Sequence, residues 1–66
     1  MHVTINGEPQ TVAPGLTVTN LINELGLTQR RVAIEINREV ITREQYGTRI
    51  LAEGDLVEVV HFVGGG

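Results

Sequence analysis

Apolar and polar residues alternate at the start of the chain. Met1, Val3 and Ile5 fall on one side; His2, Thr4 and Asn6 fall on the other. A period of two is that of a strand with one buried face. Asn6-Gly7 follows, a pair that accepts the positive φ of a tight hairpin turn. A return strand is predicted over Gln10–Ala13, with Pro9 at its entry and Pro14-Gly15 closing it.

The period then changes. Val18, Leu21, Ile22 and Leu25 stand at i, i+3, i+4 and i+7, which makes one apolar stripe of a helix over Leu16–Leu25. Thr17 is the expected N-cap, and Leu16 and Leu21 bracket it as a hydrophobic staple. Gly26 is the expected left-handed stop. Alternation returns over Val32–Ile36. Asn37-Arg38 predicts a turn, Glu39–Thr42 a short strand, and Arg43–Tyr46 a helical turn closed by Gly47. After a turn at Glu53-Gly54-Asp55, Leu56–Val63 is the longest β-type run. Val57, Val59 and Val63 lie on one face, and Leu56, Glu58, Val60 and Phe62 on the other.

The order hairpin, helix, strand, short strand, helical turn, long strand makes a two-layer α+β unit. One mixed sheet of four to five strands packs on one helix. That order is a β-grasp, the ubiquitin-like fold, in which the first and last strands pair in parallel at the sheet centre. Residues 1–63 form the domain, and 64–66 a glycine tail.

Composition narrows the chemistry. The 66 residues contain no cysteine, serine, lysine or tryptophan. This removes disulfides, thiolate zinc sites, thiol and serine nucleophiles, the Schiff-base amine and the phosphate-binding lysine of a P-loop. A chain this short also has no room for a cleft with its own supporting shell. The expectation is a protein that is not itself an enzyme. Net charge is −3, with one Phe and one Tyr, which speaks against nucleic-acid binding. No apolar run has the length of a membrane span, and no leader pattern opens the chain, so a cytoplasmic protein is expected.

The chain closes Gly64-Gly65-Gly66. Two readings stand: a frayed end, or an arm without Cβ atoms that threads a narrow active site and carries a carboxylate at its tip. A carboxylate is a poor electrophile. Adenylation supplies a leaving group, and sulfur transfer then yields a thiocarboxylate, with no internal cysteine required.

Several segments resemble the ThiS sulfur carriers of thiamin biosynthesis. They are Val12-Ala13-Pro14-Gly15-Leu16-Thr17-Val18, then Ile36-Asn37, Val40-Ile41 and Arg43-Glu44-Gln45-Tyr46, and finally Gly54-Asp55 and the closing strand with its glycines. Thr42 stands where proline is common in that family, and Tyr46 where tryptophan is common. The resemblance implies that a ThiF-like, E1-related adenylyltransferase adenylates Gly66 with ATP and magnesium. Gly64 and Gly65 thread the partner's active site, and thiazole synthase receives the sulfur. ATP binds the partner, and no cofactor binds this chain itself. Two alternatives remain: a thiocarboxylate carrier for another pathway, like the small subunit of molybdopterin synthase, or a noncatalytic β-grasp interaction module.

The remaining residues carry paired readings. With Val57 and Val59 assigned to the core, Val60 and Phe62, with Glu58 between the strand's apolar positions, are candidates for docking the activating enzyme. Alternatively, Phe62 folds over the sheet edge and packs internally. His2 and His61 become neighbours if the first and last strands pair, a weak metal signal. Arg30-Arg31 is a solvated loop or a contact to an acidic partner. Arg43 is expected to bond a carbonyl and fix its helical turn. Tyr46 is expected in a satellite core, and Glu35, Glu39 and Glu44 on one acidic face.

Overall fold

A computed structural model of the chain describes residues 1–62. The predicted strand end at Val63 and the glycine tail, with the domain boundary between them, lie outside the described residues. The elements run β1 (His2–Ile5), β2 (Glu8–Thr11), α1 (Val18–Glu24), a first 3-10 turn (Gln29–Arg31), β3 (Val32–Ile36), β4 (Glu39–Ile41), a second 3-10 turn (Arg43–Gln45) and β5 (Leu56–His61). The five strands form one sheet in the order β2-β1-β5-β3-β4. β1 and β5 pair in parallel, Thr4 beside Leu56 and Ile5 beside Val57. The other pairings are antiparallel. This is the β-grasp arrangement expected from the element order.

Both hairpins turn in two residues, and all four turn residues have positive φ: Asn6 (50°), Gly7 (82°), Asn37 (53°) and Arg38 (70°). Such turns match the right-handed twist of the flanking strands. The first turn sets Ile5 opposite Glu8, so β2 starts at Glu8 and ends at Thr11, two residues ahead of the expected Gln10–Ala13. Pro9 therefore sits inside the strand, not at its entry. The sheet tolerates it because β2 is an edge strand.

α1 follows the predicted caps at both ends. The Thr17 hydroxyl accepts from the Asn20 amide at 3.1 Å, and the Asn20 side chain accepts from the Thr17 amide at 3.1 Å. Leu16 and Leu21 are both buried. At the other end, Gly26 takes φ 74°, its amide donating to Asn23 and that of Leu27 to Ile22. This is the Schellman closure, which favours glycine at the left-handed position. One expectation is corrected: Leu25 is the C-cap and is 43% exposed, so the buried stripe is Val18, Leu21 and Ile22. The chain turns at Leu25, and Leu27 packs against the core instead.

That stripe lies against Val3, Val32, Ile34, Ile36, Ile41 and Val57 from the sheet. Burying each such side chain contributes about 1.5–3 kcal/mol before conformational entropy is subtracted. Tyr46 belongs to this main core, not to a satellite: as the C-cap of the second 3-10 turn it is folded inward and buried, and Leu51 joins the same core. Among the described residues no helix is long and apolar enough to cross a membrane.

Candidate functional site

The site is built on β5. Val57 is buried and Val59 packs against the core, so the alternation turns Leu56, Glu58 and Val60 to the opposite face. There Leu56 is 53% exposed, and Val60 and Phe62 are 54% exposed each. Phe62 does not fold back into the core. β3 adds Ala33 opposite Val60 and Glu35 opposite Glu58, and β4 adds Val40 opposite Glu35. Val40 is exposed at 73%. This part of the outer face is thus an apolar surface with two carboxylates in it, and Arg31 stands opposite Phe62 at its end. The described residues enclose no pocket, and the candidate surface is an open face of the sheet.

The start of β5 is held from both sides by side chains that mimic strand backbone. Asn6 accepts from the Val59 amide at 2.7 Å and donates to the Val59 carbonyl at 3.2 Å. It continues the ladder after β1 has turned away. Asn37 accepts from the Leu56 amide at 3.0 Å and donates to Asp55 Oδ1 at 3.0 Å. Asp55 is the buried carboxylate among the described residues. Its Oδ2 accepts from the Ala52 amide at 2.8 Å and pairs with Arg49 at 3.2 Å. Arg49 also donates to the Ile50 carbonyl.

The far end of β5 is held more lightly. His61 lies opposite Val32, and the Phe62 amide donates to the Arg31 carbonyl at 2.7 Å. The β1 ladder ends at Ile5 beside Val57, so beyond the Asn6 bridge β5 pairs with β3 alone. β5 ends here, at His61.

Other expectations are corrected by the register. His2 and His61 are not neighbours, because the parallel pairing places them at opposite ends of the sheet. His2 instead meets Glu53: its amide and its Nδ1 reach the carboxylate at 2.9 and 3.2 Å. The amide bond is the main reason the Glu53 carboxyl is held below its ordinary 4.5, with the imidazole adding to it. Glu35, Glu39 and Glu44 do not share a face. Glu35 points outward, Glu39 stands opposite the core residue Ile36, and Glu44 is on the second 3-10 turn. Arg30 and Arg31 are in the first 3-10 turn, and the Arg43 guanidinium reaches the Arg30 carbonyl at 3.5 Å. Arg43 thus ties two turns together where a local bond was expected.

Sequence reading missed the bridges of Asn6 and Asn37, the buried Asp55 and the Glu35–Glu58 pairing. The signal for the first two was asparagine at the first position of each two-residue turn, where glycine also fits. The acidic pairing needs the β3–β5 register, which no local pattern encodes.

Comparison with known proteins places this architecture. The model of the ThiS family matches residues 3–66. A thiazole synthase of Magnetococcus marinus is 44% identical over all 66 residues, which span 20% of that longer protein. The chain therefore covers about a fifth of the thiazole synthases it matches. The sulfur carrier protein ThiS of Escherichia coli is 30% identical with both chains fully covered. A crystal structure of the thiamine biosynthesis protein ThiS from Geobacter metallireducens superposes with a TM-score of 0.83 at 42% identity, again over the whole of both chains. The sheet order, the capped helix and the full-length match agree: the chain belongs to the ThiS family, alongside the sulfur carriers among its relatives.

Proposed function

We propose that the chain carries sulfur on the carboxyl carbon of Gly66. An α-carboxyl has a pKa near 3.5, so about all of it is anionic at neutral pH and resists attack by a nucleophile. A ThiF-like adenylyltransferase joins a carboxylate oxygen to the α-phosphorus of ATP, with magnesium, and pyrophosphate leaves. Sulfur at the sulfide level then attacks the acyl carbon, AMP departs, and a thiocarboxylate remains. That sulfur goes to thiazole formation. The chain contributes no nucleophile, acid or base to either step. Its contribution is to present the end of β5: Gly64 and Gly65 enter the partner's active site, and Val60, Phe62 and Glu58 rest on its surface. Three extended residues reach about 10 Å.

The observation that carries this reading is the family match, which runs through Gly66 and includes sulfur carriers matched end to end. Thiazole synthase as the acceptor is supported by relatives of that name that contain this domain as a fifth of their length. The test is ATP–pyrophosphate exchange by a purified ThiF-like adenylyltransferase. Exchange should depend on the chain and disappear when Gly66 is deleted, with the melting temperature unchanged. Exchange that survives the deletion rules the mechanism out. A chain that binds partners but never supports exchange is an interaction module instead.

A further inference from the structure

The outer face contains an arrangement that the free chain does nothing to relieve. Glu35 and Glu58 stand directly opposite on β3 and β5. Asn37 donates to Leu56, and Phe62 to Arg31, so the alternation makes Glu35–Glu58 a hydrogen-bonded pair, with Cα atoms about 5.5 Å apart. Like charges at directly opposed positions destabilise a sheet. The neighbours on this face are Val40 beside Glu35, Ala33 and Val60 one step toward the tail, and Leu56 one step away from it. None is a cation. Among the described residues neither glutamate forms an ion pair.

We infer that the Glu35–Glu58 pair, with Val40, Val60 and Leu56 around it and Phe62 further toward the tail, receives one arginine or lysine of the activating enzyme, set in an apolar surface of that enzyme. The inference rests on the carrier reading above and adds the chemistry of the surface that meets it. A guanidinium between two carboxylates cancels their repulsion and gains charge-assisted bonds. The surrounding apolar side chains exclude water from it and strengthen the attraction. The same charges argue against a second copy of this chain as occupant. A two-fold contact centred on this pair would bring four carboxylates together. The face is also continuous with the end of β5, so a protein that covers it stands beside the departing tail.

The experiment uses the full chain and a purified ThiF-like adenylyltransferase. Binding is measured by calorimetry at low and high salt, for the wild type, Glu35→Gln/Glu58→Gln and Val60→Ala. The double glutamine variant should bind at least about tenfold more weakly at low salt and lose most of its salt dependence. Its melting temperature should stay level or rise, because repulsion is removed; a misfolded variant would move the other way. Val60→Ala should weaken binding and keep the wild-type salt slope. Undiminished affinity and an unchanged salt slope in the double variant overturn the inference. A loss seen only with thiazole synthase as the probe overturns it too. Failure of the carrier reading has a different signature: the wild type binds, the variant comparison still decides the pair, and no adenylation occurs at Gly66.

Discussion

The two ends of β5 are built to opposite specifications. At Leu56 the strand is bonded on both sides, by the turn residue Asn37 and by the β1 ladder, and the buried Asp55 accepts from Asn37 in turn. At Phe62, among the described residues, one bond to the Arg31 carbonyl holds the backbone, and the side chain is half exposed. Local stability follows the density of buried and bonded groups. The first end therefore locks the strand into the sheet, and the second releases it. On the proposed function this division is useful: a rigid body sets where the residues after Phe62 begin.

The largest way to break the contrast is at the locked end. Asp55→Ala leaves the Ala52 amide, Asn37 and Arg49 without their buried acceptor. It should cost about 3 kcal/mol, close to the whole stability of so small a domain. Urea denaturation should find it largely unfolded at physiological temperature. Asn37→Ala should cost about 2 kcal/mol, since it loses two bonds and places alanine at positive φ. Asn37→Gly keeps the turn and loses only the bridges, so the difference between the two variants separates strain from bonding. At the release end, Phe62→Ala should change stability by less than about 0.5 kcal/mol while lowering adenylation at limiting concentration.

Smaller effects sharpen the picture. Arg38 holds φ 70° at a turn position suited to glycine. Relief of that strain, set against the added chain entropy, predicts that Arg38→Gly stabilises by about 0.5 kcal/mol in the same titration. The smallest effect is in acid. Glu53 has a depressed carboxyl pKa in the folded chain, so its contribution is present above the ordinary 4.5 and is lost as pH falls through the folded value. The Glu53→Gln variant should show a smaller drop in melting temperature than the wild type between about pH 5.5 and about pH 3.

The fold was legible because its signals were local and agreed with one another. Thr17, Leu16, Leu21 and Gly26 fixed the helix at both ends, and Asn6-Gly7 and Asn37-Arg38 fixed both hairpins. The alternation in β5 correctly put Val57 inside and Val60 and Phe62 outside. Failures came where a neighbour decided. Pro9 entered β2 because the turn fixed the register. Leu25 came out because the closure at Gly26 handed its place to Leu27. His2 and His61 parted because parallel pairing sets two strands side by side in the same direction. At the candidate site, exposure was legible from a period of two, but the facing of Glu35 and Glu58 was not. Their meeting depends on residues 23 positions apart in sequence being brought into one register.

The proposed function turns on one bond, from sulfur to the carbonyl carbon of Gly66. The most direct test is intact and fragment mass spectrometry of the native protein from sulfur-replete cells. Met1 is the sole methionine, and its oxidation gives nearly the same nominal mass change, so the shift must be localised. The expected result is oxygen replaced by sulfur on the carboxyl of Gly66. A carboxyl-terminal fragment that stays unmodified, also after incubation with ATP, magnesium, a sulfur donor and the adenylyltransferase, would contradict it.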